Sequence, residues 1–132
     1  MKKKTLPKLK ADCQKVFNEF IRVRDSGKPC ISCGGFGEMQ AGHYYAVMGY
    51  DGLRFDEDNC HNECVRCNCF DESHLIGYGS NLINRIGIDR YKALQERAIA
   101  YKKFGKKWRR SEVEELIMLY KLKIMTEKLM KS

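Results

Sequence analysis

The chain has 132 residues, 43% of them hydrophobic and 32% charged, with a formal net charge of +8 and a pI near 9.2. That length suits one domain with a modest core, and the charge selects a polyanionic partner, nucleic acid before an anionic membrane surface. No run of about 18 apolar residues occurs, which excludes a helical membrane span; Met1-Lys2-Lys3-Lys4 has no apolar stretch behind it, which argues against a signal peptide.

Residues 1–10 are Lys-rich with Pro7 and read as a flexible basic arm. Leu9, Cys13, Val16, Phe17, Phe20 and Ile21 recur at three- and four-residue steps, which predicts a helix over 11–25 with one buried face. Gly27 and Pro29 end it. Residues 30–75 then read as the core unit. It opens with a tight turn at Cys30-Ile31-Ser32-Cys33, followed by strands at 39–47 and 53–55 joined by a hairpin at Gly49-Tyr50-Asp51-Gly52. A helix starting near Glu63 or Cys64 would carry Cys67 and Asn68.

The remainder, 76–132, reads as helical. Gly77-Tyr78-Gly79 breaks the chain, and helices follow over 81–86 and 89–101. Residues 102–110 form a basic connector in which Phe104 and Trp108 interleave with Lys and Arg. Ser111-Glu112-Val113-Glu114 resembles a capping box opening a last helix to about residue 130. Val113, Leu116, Ile117, Tyr120 and Ile124 fill one face of it, and Leu119, Leu122 and Leu129 spill onto another. That second face is either covered by the helices at 81–101 or shared with a second copy in a homodimer.

Seven cysteines are present, and four fall into two Cys-x2-Cys pairs, Cys30/Cys33 and Cys64/Cys67. Two such pairs flanking about 30 residues is a zinc spacing, and it points to a reducing cytoplasm rather than to disulfides. A structural zinc on four thiolates has no open position. Cys13 lies on the apolar helix face, and Cys60 and Cys69 read as spectators beside the second pair.

The residues around the pairs point to chemistry. His43 precedes a loop, Asn59 stands five residues before the second pair, and Asn68 directly follows it. This arrangement resembles the ββα-metal (HNH-type) nucleases. The resemblance implies that His43 is the general base, Asn59 braces the hairpin carrying it, and Asn68 binds a catalytic Mg²⁺ or Mn²⁺. An unperturbed His pKa of roughly 6.5 suits a base working near neutrality, and an amide oxygen suits a hard cation. Many such enzymes have an acid just before the base, acting as a second metal ligand, and here that residue is Gly42. His61, on the strand face of Asn59 if the segment is extended, is the first substitute, and Glu57 the second. His74 reads as a solvated histidine. Seven acids crowd 51–72 against Arg54 and Arg66, while Arg54, Lys106, Lys107, Arg109 and Arg110 are candidates to grip phosphates.

A closer resemblance rests on Cys30-Ile31-Ser32-Cys33-Gly34, Ala41-Gly42-His43-Tyr44, Leu53-Arg54-Phe55, Asn59 with His61, Cys64-Val65 with Cys67-Asn68, and Leu82-Ile83 with Arg85-Ile86-Gly87. Together these resemble the lambda NinG (Rap) family of phage recombination endonucleases. The likeness thins after Gly87, and the chain lacks that family's N-terminal cysteine-bearing segment. The packaging resolvase of T-even phages is a more distant parallel. The expectation is an α+β fold with a zinc-stapled ββα-metal core of treble-clef type, a leading helix and a helical C-terminal part. The activity implied is cleavage of branched DNA such as Holliday junctions and D-loops, in the cytoplasm of a bacterial host. The alternatives are a non-catalytic zinc DNA-binding module, an HNH endonuclease of ordinary duplex, and a zinc adaptor that binds protein through its last helix.

Overall fold

The computed structural model describes residues 2–132. The first helix, α1, runs Leu6–Arg24, so it begins inside the stretch expected to be a flexible arm. The reason is local. The Thr5 hydroxyl accepts from the Lys8 amide at 3.3 Å, and Pro7 occupies the first turn, where its missing N–H is not needed. Leu9, Cys13, Phe17, Phe20 and Ile21 form the predicted buried stripe.

That stripe packs on the last helix, α4 (Arg110–Met130). The two run side by side in the same direction: Arg110 reaches the Lys4 carbonyl at one end, and Lys131 reaches the Arg24 carbonyl, at 2.9 Å, at the other. Phe17 meets Tyr120 edge-on at 4.9 Å between ring centroids, and Phe55 and Trp108 extend the same aromatic core. α4 is capped two residues earlier than expected. Glu112 reaches back to the Arg109 amide at 3.0 Å, so the start is at Arg109 and not at Ser111.

A second core is built from Ile31, Leu53, Tyr78, Leu82, Ile86, Leu94 and Ala98. It gathers α2 (His74–Ile86) and α3 (Ile88–Phe104). Gly77 and Gly79 do not break the chain; they lie inside α2. A Cβ on Gly77 would stand 2.0 Å from the Ser32 carbonyl oxygen, and one on Gly79 3.0 Å from the Tyr44 hydroxyl. Gly77 lets the helix lie against the Cys30–Cys33 turn, and Gly79 lets it lie against Tyr44.

Between the cores lies a two-stranded antiparallel sheet, β1 (Met39–His43) and β2 (Cys60–Cys64), with His43 opposite Cys60 and Gln40 opposite Glu63. β1 is shorter than the expected 39–47. The second strand is not 53–55, which forms a tight helical turn at Asp51–Leu53 and its exit. Leu53 and Phe55 part company there, Leu53 entering the second core and Phe55 the first. Cys60–Cys64 takes the strand position instead, so the helix expected from Glu63 or Cys64 starts later, as one wide turn at Arg66–Phe70. No helix among the described residues is long and apolar enough to cross a membrane.

Candidate functional site

The Cys30–Cys33 turn lies against β2, with the Ile31 amide bonded to the Asn62 carbonyl at 3.0 Å. This brings Cys30, Cys33, Cys64 and Cys67 together, their sulfurs all within 4.8 Å of one another and Cys33 Sγ 3.9 Å from Cys64 Sγ. Thiolates about 2.3 Å from a tetrahedral zinc stand about 3.8 Å apart, so the four fit a closed structural zinc site. Backbone amides point at the sulfurs: Cys64 N at 3.3 Å from Cys30 Sγ, and Gly35 N at 3.4 Å from Cys33 Sγ. The Gly35 amide lowers the Cys33 thiol to about 7, whereas burial raises the Cys30 and Cys67 thiols, so in the metal-free cluster the charge favours Cys33. Cys13 and Cys60 are buried outside this cluster, and Cys69 is exposed.

His43 ends β1 and lines an open cleft of about 620 Å³, shared with Asn68, His74 and the rings of Tyr44, Tyr45 and Tyr50. Its Nε2 lies 3.0 Å from the Arg54 carbonyl, which can only accept. Nε2 therefore carries the proton and Nδ1 is the basic nitrogen. Burial lowers the His43 pKa, against the opposing pull of the Arg54 carbonyl, so the ring is neutral at neutral pH. Asn59 clamps the intervening loop shut: its Oδ1 accepts from the Tyr45 amide at 2.8 Å, and its Nδ2 donates to the Tyr45 and Leu53 carbonyls at 3.0 and 3.1 Å. Asn68 donates its Nδ2 to Gln40 Oε1 at 2.7 Å, leaving its own Oδ1 for a ligand.

The two substitutes for an acid at Gly42 do not reach this cleft. His61 is buried beneath Tyr78, whose hydroxyl lies 3.4 Å from its Nδ1 and donates to the Gly42 carbonyl at 2.6 Å. Glu57 faces α4, where it accepts from Lys123 at 2.6 Å and Tyr120 at 3.0 Å. Two residues missed in the sequence stand closer. His74 is not a solvated histidine; its Nδ1 lies 2.6 Å from Oε2 of Glu63, which is fully buried and also accepts from Ser32.

Burial pushes the His61 pKa down to about 3. Between that value and roughly 6.5 the unfolded chain takes up a proton that the folded chain refuses. Stability from this residue is therefore complete above about 6.5 and is lost as pH falls toward 3. We expect His61→Gln to lose about 2 kcal/mol less than the wild type between pH 7 and pH 5 in urea denaturation. An identical loss in both proteins would show that His61 is not held neutral.

The candidate phosphate-binding side chains differ in how committed they are. Arg54 is bonded to Asp51 at 3.0 Å and to Gln14 at 2.8 Å. Lys106 pairs with Glu112 at 2.7 Å and Arg109 with the same carboxylate at 3.3 Å; Arg110 lies 3.6 Å from Glu114. Lys107 is exposed. The connector packs on the loop that carries Tyr50: the Trp108 indole N–H donates to the Asp51 carbonyl at 3.2 Å, and Lys102 lies 4.2 Å above the Tyr50 ring. The basic stretch thus borders the cleft.

The chain is 49% identical over 76 residues to Protein ninG of Escherichia phage 933W, covering 56% of this chain and 38% of that one. It is 48% identical over 77 residues to the protein of the same name in Salmonella phage P22, covering 57% and 38%, and 46% identical over 76 residues to that of Escherichia phage lambda, covering 56% and 37%. The matched stretch thus spans less than two fifths of each relative. No solved structure matches. A family profile described as Bacteriophage Lambda NinG protein matches residues 1–130, and the chain belongs to the NinG family.

Proposed function

We propose that this chain is an HNH-like (ββα-metal) endodeoxyribonuclease that hydrolyses branched DNA, Holliday junctions and D-loops, during phage homologous recombination in the bacterial host cytoplasm. The observation that carries this reading is one open cleft holding a neutral, oriented His43 beside the unspent amide oxygen of Asn68. His43 Nδ1 takes a proton from water, and the resulting hydroxide attacks phosphorus. The bond to the 3′ oxygen breaks, leaving a 5′-phosphate and a 3′-hydroxyl once water protonates the departing oxygen. Asn59 keeps the loop closed, so the Arg54 carbonyl stays on Nε2 and the reactive nitrogen stays fixed. A divalent cation held through Asn68 would polarise the phosphate and stabilise the departing oxygen. The basic connector beside Tyr50 is suited to the flanking phosphates, and the three cleft tyrosines to exposed bases at a branch point.

Incubation with Mg²⁺ or Mn²⁺ and matched four-way junction, D-loop and linear duplex tests the reading. The branched substrates should be cut and the duplex spared. Equal cleavage of all three contradicts branch selectivity, and cleavage of none contradicts a nuclease.

Two symmetric cuts across a junction require two active sites, and we propose a homodimer formed through α4. Its second face is not covered by α2 and α3: Leu119 is 43% exposed, Leu122 60% and Leu129 74%, and Met125, at 61%, lies exposed beside them. Light scattering should give a dimer for the wild type and a monomer for Leu122→Glu/Met125→Glu. A wild-type monomer both free and on the junction would rule the arrangement out.

A further inference from the structure

Glu63 lies on β2 with its side chain fully buried. Burying a carboxylate is costly unless both oxygens find donors or a cation. Its two oxygens are treated differently. Oε2 accepts from the Ser32 hydroxyl and from His74 Nδ1, whereas Oε1 has no hydrogen-bond partner among the described residues. Ser32 belongs to the Cys30–Cys33 turn, so the cysteine cluster fixes one of the two donors.

The direction of Oε1 is informative. It stands 2.2 Å from the place a Cβ on Gly42 would take, next to the residue that precedes His43. Gln40, the cross-strand partner of Glu63, takes the Asn68 amide, so Asn68 is tied to the same pair of strands with its Oδ1 unspent. His74 and Asn68 both line the His43 cleft, which makes them its wall on the Glu63 side.

We propose that Glu63 Oε1 and Asn68 Oδ1 are the protein ligands of one divalent cation of the Mg²⁺/Mn²⁺ class, with Ser32 and His74 as positioning residues. The role of that ion in catalysis rests on the nuclease reading; its binding does not. Carboxylate and amide oxygens are hard donors and the four cysteines are soft ones, so the two kinds of ion sort to separate sites. Gly42 is then a spatial requirement: any side chain there would displace the liganding oxygen.

The test is Mn²⁺ titration of the zinc-loaded full chain, followed by the paramagnetic resonance signal of free Mn²⁺. The wild type should bind one Mn²⁺ per chain. Glu63→Gln should weaken binding at least about tenfold without changing zinc content or the far-ultraviolet circular dichroism. Asn68→Ala should weaken it too, and Asn68→Asp should tighten it. Gly42→Asp combined with Glu63→Ala moves the carboxylate to the opposite strand and should restore binding, which a fold defect would not allow. Wild-type-like binding by Glu63→Gln, or no saturable binding by the wild type at millimolar Mn²⁺, overturns the site. Loss of Mn²⁺ in Glu63→Gln from a chain that cuts no DNA sinks the nuclease reading and leaves the site standing. Cleavage that persists in Glu63→Gln with unchanged Mn²⁺ dependence does the reverse.

Discussion

Cys64→Ser should release zinc and unfold the sheet together with the Cys30–Cys33 turn. In small zinc domains the binding free energy of the metal is folding free energy, on the order of 10 kcal/mol. That is comparable with the whole stability of an ordinary domain, about 5–15 kcal/mol. Cys64 is the last residue of β2, and Cys67 sits in the wide turn that follows. The four sulfurs therefore join that turn to the Cys30–Cys33 turn, far earlier in the chain, across a sheet of only two strands. A two-stranded sheet is marginal by itself, and Ser32, which holds Glu63, would lose its anchor in the same event. Metal analysis and thermal denaturation with and without chelator provide the measurement. Cys69→Ser, exposed and outside the cluster, should keep full zinc content. A purified protein without zinc, equally stable in chelator, would remove the foundation of the site.

His43→Ala should lower cleavage at least about 100-fold, the expected cost of losing a general base, while junction affinity stays near that of the wild type. The separation of the two effects follows from position. His43 is half-buried at the cleft floor, whereas the basic side chains at 106–110 lie on the connector at its edge. The pH profile carries a second expectation. Because burial lowers the His43 pKa, the basic form persists to lower pH than for a free imidazole. The acid limb of the rate should therefore fall below roughly 6.5. A limb above that value would mean that another group takes the proton.

The cysteine cluster, the cleft position of His43 and the Asn59 loop clamp were legible because each depends on spacing. Two Cys-x2-Cys pairs, a histidine between them and an asparagine on each side of the second pair keep their meaning whatever the local backbone does. The α1 and α4 stripes were legible for a related reason: their apolar residues repeat at the helix period and pack on one another. β2 was not, because Cys60-His61-Asn62-Glu63-Cys64 contains no residue of high strand propensity. It is extended because its neighbours hold it there. Asp25 takes the Asn62 amide at 3.0 Å, and Arg24 takes the Cys60 carbonyl at 2.7 Å. Tertiary context decides such strands. Gly77 and Gly79 misled for the opposite reason, since their usual meaning as breakers gives way to close packing on Ser32 and Tyr44.

Glu63 was illegible on different grounds. In the sequence it is one acid among seven between Asp51 and Glu72, and nothing separates it from its solvated neighbours. Its distinction is spatial: full burial, one oxygen engaged, and the other in the space left by Gly42. Gly42 read as an omission in a site that needs an acid. In the proposed cation site the strand opposite supplies that acid, and the gap at Gly42 is the room it occupies.

Incubating wild type and His43→Ala in parallel with an end-labelled four-way junction and Mg²⁺, and resolving the product strands, separates a histidine-driven nuclease from a protein that only binds DNA. The wild type should give paired, symmetric cuts with 5′-phosphate and 3′-hydroxyl ends, and His43→Ala should bind the junction without cutting it. Cutting by His43→Ala at the wild-type rate, or an intact junction with zinc-loaded wild type in either Mg²⁺ or Mn²⁺, would contradict the histidine-driven nuclease.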